Sequence, residues 1–468
     1  MKADEQITLN AKGVKLSVIT LLNEGKVEEA LRLFQDNSAK VLQAIKEYEA
    51  SKHKITERPD KKVKNKEDYK THKLPIPYQK YINEVEKSFL LGQPLKWEMR
   101  NPVDEQKLLK ETFSLFLDFL RGQHYDTNNS KAKRLAGAET ECAKLYAIYK
   151  DEGEQKIKTL VLAKSLGYDL RPLFNRMGDM KAFAVGYTLK NAENITYKHW
   201  DIYFSEVIYH CDQSWKSEGE SDEWIIEKEV NFIGKIPIIY FSQSVAWDGA
   251  QERIERLEEM DSKTADIIDY TDNPILILGS KVQNSLAGAK EVGKVLRVNN
   301  KDDVVKYLEV PNQNEAKQQE RDNLEQSIAL TTFTPDFTYK NVKGLGAISG
   351  AAISKANILG YLKRTRMMEI YDEMFERDCS VIKAILGNVL YPEKKSEIDS
   401  MDIYHIYQDP AIGIDDNSEE ISRWKEIGAM SIESAVAANR NVQNKELEVE
   451  RIRQEQAAVK IQQQTTDE

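Results

Sequence analysis

The stretch 248-DGAQERIERLEEMDSKTADIIDYTDN-273, with 312-NQNEAKQQERDNLEQSIAL-330 after it, decides the fold. In the first, Ile254, Leu257 and Met260 recur at helical spacing amid Glu and Arg, which predicts a helix over 248–269. The second is a nineteen-residue helix whose apolar stripe is only Ala316, Leu324 and Ile328. So thin a stripe gains little from burial, and such a helix is marginal alone. It needs neighbours offering polar contacts, such as symmetry-related copies of itself.

Between the two, residues 273–310 hold short apolar runs (275-ILIL-278, Val295-Leu296, Val304 to Leu308) split by Gly and Asn, which predicts strands and turns. Residues 331–350 form a loop with Pro335, Gly344, Gly346 and Gly350. Residues 351–390 then run forty positions without proline until Pro392. A helix of that length spans about 60 Å at 1.5 Å per residue. That exceeds the width of a small domain and suits a tie between layers of an assembly.

Working outward, residues 1–57 carry a helical pattern (Val27, Ala30, Leu31, Leu33, Phe34, Val41, Leu42, Ile45) broken near Asp36-Asn37. Residues 58–74 are basic through Arg58, Lys61, Lys62, Lys64, Lys66, Lys70 and Lys73. They read as a solvated linker or as a partner-binding arm; one Tyr, Tyr69, is no aromatic interleaving for base stacking. Residues 78–91 form an amphipathic helix ended by Gly92 and Pro94. Further helices are predicted over 105–121 and 130–149. From about 154 the texture turns to strands: Phe183, Val185, Tyr187 and Leu189 alternate, as do Trp200, Ile202 and Phe204, and less cleanly Trp224 to Val230. That predicts an antiparallel sheet of hairpins ending in 234-GKIPIIYF-241. Beyond Pro392, helices are expected over 417–430, 431–439 and 443–461, the second started by Ser431 as a cap.

The 468 residues allow roughly two to four domains. Net charge −10 argues against tight wrapping of nucleic acid, which needs clustered Lys and Arg. Three distant cysteines (Cys142, Cys211, Cys379) fit a reducing site of synthesis rather than a disulfide framework. No apolar leader segment opens the sequence, and no apolar run is long enough for a membrane span.

Signs of catalysis are weak. 288-GAKEVGK-294 matches a phosphate loop, but Val295 stands where Ser or Thr would hold magnesium, and no helix follows. It reads as a turn. The six histidines are scattered; His199 and His210-Cys211 lie on neighbouring strands, yet no second Cys or His completes a zinc site, so they read as ordinary strand residues. No nucleophile elbow or zincin motif occurs. The expectation is no enzyme, no cofactor and no metal.

The order of these signatures resembles the portal proteins, head–tail connectors of tailed double-stranded DNA phages. 78-YQKYINEVEKSFLLGQPLKW-97 resembles the entry to the portal body, and 234–241 the strand before the first stem helix. Residues 248–276 are similar to that helix and the start of the clip. Residues 312–392 resemble the second stem helix, tunnel loop and long wing helix, and 418–453 the C-terminal pattern with its 431-SIES-434 turn. The resemblance covers about 72–455.

It implies an α+β portal fold: an N-terminal helical and basic arm (1–75), a mixed α/β wing (76–247), stem helix one (248–272) and a small β-containing clip (273–311). Stem helix two (312–330), tunnel loop (331–350), long wing helix (351–392) and helical crown (393–468) follow. It further implies a ring, normally of twelve copies, at a capsid vertex of the virion, assembled in the host cytoplasm. Double-stranded DNA would pass through without sequence-specific contact. Partners would be the terminase large subunit, head-completion or adaptor proteins, and major capsid and scaffold proteins, with no membrane. Thr338, Lys340, Asn341 and Lys343 would line the channel, with Gly344, Gly346 and Gly350 as hinges. Ser280, Lys281, Lys290 and Lys294 would dock terminase or adaptor. The competing reading is a ring- or filament-forming structural protein without DNA passage. An ATP-driven enzyme or nuclease is disfavoured by the broken phosphate loop.

Overall fold

The computed structural model describes residues 7–9, 15–61, 69–151, 154–190, 196–216, 219–272, 276–278, 305–307, 314–335, 357–409, 418–428, 430–438 and 448–454. The chain divides into two units, 1–337 with 357–410, and 338–356 with 411–468.

The larger unit opens with a small antiparallel pair, β1 (Ile7–Leu9) and β2 (Lys15–Ser17). Three helices follow: α1 (Val18–Asn23), α2 (Val27–Leu31) and α3 (Ser38–Tyr48). Next come α4 (Tyr78–Leu91), β3 (Lys96–Met99), α5 (Val103–Leu108), α6 (Lys110–Gly122) and α7 (Tyr125–Glu139). Helix α4 has the bounds the sequence predicts, but Gly92 caps it with φ −71°, outside the left-handed region. The single helix expected over 105–121 is broken at Leu109, which is buried, while Leu108 stays exposed.

The helix expected over 130–149 is half wrong. It ends at Glu139, and β4 (Glu141–Asp151) takes the rest. Strand β4 is the middle of a three-stranded antiparallel sheet, between β5 (Glu154–Leu162) and β11 (Ile238–Ser242). Both of its faces are buried, so 142-CAKLYAI-148 is nearly continuous apolar sequence with no period to separate strand from helix.

A five-stranded antiparallel sheet carries β6 (Asp169–Phe174), β7 (Met180–Lys190), β8 (Thr196–Tyr203), β9 (Val207–Lys216) and β10 (Gly219–Val230) in sequential order. These are the expected hairpins. The expected terminal strand at 234–241 belongs instead to the three-stranded sheet.

The strand period of two sorts these sheets into layers. Ala182, Ala184, Trp200, Ile202 and Cys211 face α1 and α2, packing on Leu21, Leu22, Val27, Ala30 and Phe34. Phe183, Val185 and Tyr203 face the three-stranded sheet, on Ala143, Leu145 and Tyr240. From the far side of that sheet Cys142 and Tyr146 meet Phe116, Leu120, Ala136, Tyr371 and Phe375. The order is helices, sheet, sheet, helices. Gly186 is required by close approach: a Cβ there would sit 2.7 Å from the ring of Trp200.

The helices of the outer layer include α10 (Ile358–Ile385), which follows α8 (Gln251–Asp272) and α9 (Asn314–Thr331) in the chain. Helix α10 has 28 residues, about 42 Å, and ends in a π turn over Leu386–Leu390. It is shorter than the forty residues read from sequence; Asn357 stands before it and 351–356 lie outside the described residues. Met367, Tyr371, Phe375, Ile382 and Ile385 line its buried stripe. A short α11 (Lys395–Ser400) leads to β14 (Ile403–Ile406), paired with β3.

Two ionic clusters are sealed in this layer. Glu86 contacts Lys133 and lies 3.1 Å from Lys363, with Gln243 Nε2 donating to it at 3.0 Å. Burial alone would raise the Glu86 carboxyl; the two ammonium groups outweigh it and hold it at about 2. Lys144 contacts Asp378, both fully buried. Asn129 Oδ1 accepts from Lys144 at 2.6 Å, and the Tyr146 hydroxyl donates to Asp378 at 2.7 Å.

In the smaller unit, α12 (Ser418–Glu426) and α13 (Ile432–Ala438) are helical where expected. Ser431 Oγ accepts from Ser434 N at 3.1 Å, the predicted cap. Arg453 pairs with Glu433.

Candidate functional site: a charged helix pair

Helices α8 and α9 lie side by side. Their apolar contact is as thin as the sequence implies: Ile254, Leu257 and Met260 on one, Ile328 and partly buried Leu324 on the other, while Ala316 is exposed. Charge does the remaining pairing. Arg256 donates from Nη2 to Glu320 at 2.8 Å, and Arg321 pairs with Asp261 across the gap. Within the helices Lys263 meets Glu259 at 2.7 Å and Arg321 meets Glu325 at 3.0 Å. The two helices hold twelve acidic and five basic residues, so the pair carries a net negative field.

A second face of α8 is already occupied, which the sequence reading missed. Glu258, Ser262 and Asp266 recur every four residues and are buried. Glu258 Oε1 accepts from Ile76 N at 2.8 Å, Ser262 Oγ from Leu74 N at 3.0 Å, and Asp266 Oδ1 from His72 N at 2.9 Å. Four helical residues rise about 6.0 Å and two extended residues about 6.6 Å, so the two repeats match. Pro75 and Pro77, which have no N–H, fall on positions this ladder does not use. His53 Nδ1 also meets Glu258 at 2.5 Å. Burial would lower the His53 pKa, but the Glu258 bond prevails and raises it.

Asp266 further accepts from Arg58 Nη2 at 2.8 Å, with Lys61 at 3.8 Å. Burial opposes the ionised form of Asp266, yet the His72 and Arg58 bonds keep its pKa low. The described ends of the basic stretch are therefore pinned to α8 rather than free as a linker. Residues 18–34 are likewise no detached arm, since they cover the five-stranded sheet.

Beyond α8, β12 (Leu276–Leu278) pairs antiparallel with β13 (Val305–Tyr307), so the expected strands are present at both ends of 273–310. Ser280, Lys281, Lys290 and Lys294, with the 288–294 turn, lie outside the described residues. So do Thr338, Lys340, Asn341, Lys343, Gly344, Gly346 and Gly350.

A groove of about 860 Å³ runs beside α10, lined by Trp97, Lys235, Asp372, Cys379 and His405 among others. Burial pushes the Cys379 thiol up to about 12, so it is no nucleophile there. His199 and His210, read as ordinary strand residues, do lie on paired strands, and both rings touch Asp201.

A profile of the family described as "Phage portal protein, SPP1 Gp6-like" matches residues 34–462. The chain belongs to this portal family. Portal proteins are structural, not enzymatic, and membership places the chain in the virion at a capsid vertex. The matched span begins inside the N-terminal region, so α1 and α2 precede it. No curated protein matches the chain. Among solved structures it is similar to a chain of "Neck of native GTA particle computed with C12 symmetry", at 11% identity and TM-score 0.43 over 86% of this chain and 93% of that one. A chain of the virion of a native gene transfer agent particle is similar at 10% identity and TM-score 0.39, over 84% and 90%.

Proposed function

We propose that the protein forms a closed ring, of about twelve copies, through which double-stranded DNA is packaged by a terminase and later ejected. The family match supports this, and the charge of the α8–α9 pair is the structural observation that favours it. A helix with so small an apolar face gains its missing neighbours from cyclic symmetry. A net acidic wall repels phosphates, so DNA slides instead of adhering.

In this reading residues 76–247 are the wing, 248–272 and 312–330 the stem, 273–311 the clip, 331–350 the tunnel loop, 351–392 the long wing helix and 393–468 the crown. Residues 1–75 bind capsid or scaffold. Lys340 and Lys343, with Thr338 and Asn341, touch the sliding phosphates, and Gly344, Gly346 and Gly350 let the loop flex. Ser280, Lys281, Lys290 and Lys294 meet terminase and then the adaptor. Assembly takes place in the host cytoplasm.

Electron microscopy of the purified protein tests the ring. Closed rings with a central opening of about 20–40 Å, wide enough for a duplex, are expected. Filaments, or rings with a blocked centre, would overturn DNA passage. Reversing both Lys340 and Lys343 to Glu should cut packaged DNA, and unchanged packaging would remove those residues from the channel.

A further inference from the structure

In the five-stranded sheet, the central strand β8 pairs with β9 so that His199 stands opposite Asp212 and Asp201 opposite His210. All four side chains share one face. His199 Nε2 lies 2.8 Å and His210 Nδ1 2.6 Å from the same oxygen, Asp201 Oδ1. The far nitrogen of each ring meets another carboxylate: His199 Nδ1 meets Asp212 at 2.6 Å, and His210 Nε2 meets Glu229 at 3.2 Å. The Tyr187 hydroxyl donates to Asp201 Oδ2 at 3.0 Å. Cys211 points to the opposite face and is buried under α1 and α2.

From this geometry we infer a binding site for one divalent transition-metal ion of the zinc class, held by His199 Nε2, Asp201 Oδ1 and His210 Nδ1. The three donor atoms lie within 4.8 Å of one another. Tetrahedral zinc with bonds of about 2.0–2.1 Å separates its ligands by roughly 3.3 Å, so to admit the ion the Asp201 carboxylate withdraws from its 2.8 and 2.6 Å contacts and the two rings close toward each other. The outer partners are those a metal site requires. A ligating histidine donates its other N–H to a carboxylate, which fixes the tautomer and raises basicity. Asp212 selects the tautomer that leaves His199 Nε2 free to ligate, and Glu229 does the same for His210 Nδ1.

Without an ion, both rings face carboxylates at both nitrogens. A dication at the shared oxygen would meet three carboxylates, Asp201, Asp212 and Glu229, around the two rings. Two His and one carboxylate leave a fourth position for water, and the His210 side chain, 30% exposed, gives a path of entry. The ion would staple the β8–β9 pair.

The test uses the untagged full-length protein, stripped by chelator and titrated with Zn²⁺ by calorimetry, with bound metal counted by elemental analysis. One ion per chain and a raised unfolding temperature are expected. His210→Gln and Asp201→Asn should weaken binding at least 100-fold and abolish the thermal shift. Asp212→Asn should weaken it about 10- to 100-fold. His124→Asn, at an exposed histidine far in sequence, should change nothing. Circular dichroism confirms folding, and should Asp201→Asn misfold, the partly exposed His210 variant decides alone. Absence of bound zinc at tenfold molar excess, or binding by His210→Gln as tight as the parent, overturns the site.

Discussion

Replacing Asp378 by alanine strips the buried Lys144 ammonium of its counter-ion. Both side chains are fully buried, and Lys144 keeps Asn129 Oδ1 at 2.6 Å and the rings of Tyr125, Tyr146 and Phe241 at 4.3, 5.6 and 6.0 Å. Breaking a buried pair from one side costs about 3–5 kcal/mol. The Tyr146 hydroxyl also loses its acceptor at 2.7 Å, a loss of roughly 1–3 kcal/mol if nothing replaces it. Part is recovered, because burial already lowers the Lys144 pKa and the amine can shed its proton. A net loss of about 4 kcal/mol follows, near a thousandfold in the folding equilibrium. Urea unfolding followed by tryptophan fluorescence measures it. The double variant Lys144→Met with Asp378→Leu should return most of the loss, since an apolar pair of similar volume is often neutral or better. A single variant within about 0.5 kcal/mol of the parent, or a double variant no better than Asp378→Ala, would refute the assignment.

Glu86 gives a pH dependence. Its folded pKa of about 2 lies below the ordinary 4.5, so its contribution is present above pH 4.5 and drains away as pH falls toward 2. Glu86→Gln should lower the unfolding temperature at pH 7 yet flatten that acid limb; an unchanged slope in thermal melts would contradict it. Gly360→Val should destabilise by about 1–3 kcal/mol, because a Cβ there falls 2.2 Å from the Phe89 ring, and Phe89→Leu should relieve part of the loss in the same melts. Asp266→Ala should release Arg58, Lys61 and His72, making trypsin cleavage near Lys61 and Lys70 at least tenfold faster; an unaltered digestion rate would rule out the clamp.

Much of this protein is legible because its helices and hairpins declare their periods locally. The 3.6 spacing of Ile254, Leu257 and Met260 finds α8, and the alternation of Phe183, Val185 and Tyr187 finds β7. Strand β4 hides because two buried faces erase its alternation. The acceptor ladder of Glu258, Ser262 and Asp266 reads as solvated helix, since its donors at His72, Leu74 and Ile76 stand more than 180 positions away. A four-residue repeat of polar acceptors, set against a segment with proline at alternate positions, was the available signal. The His199, Asp201 and His210 cluster depends on strand register, which spacing along one strand does not reveal.

The covering of the five-stranded sheet by α1 and α2 has a consequence for how the chain is made. Leu21, Leu22, Val27 and Phe34 leave the ribosome long before Trp200, Ile202 and Cys211, the surface they will cover. At roughly 5–20 residues per second, the interval from Phe34 to Cys211 is on the order of 10–35 s. For that time two short helices carry a bare apolar face with no native partner. They are too short to hold together alone. Residues 18–34 are thus a passing liability during synthesis, and a point where a chaperone, or a neighbouring nascent copy, can intervene before the fold closes.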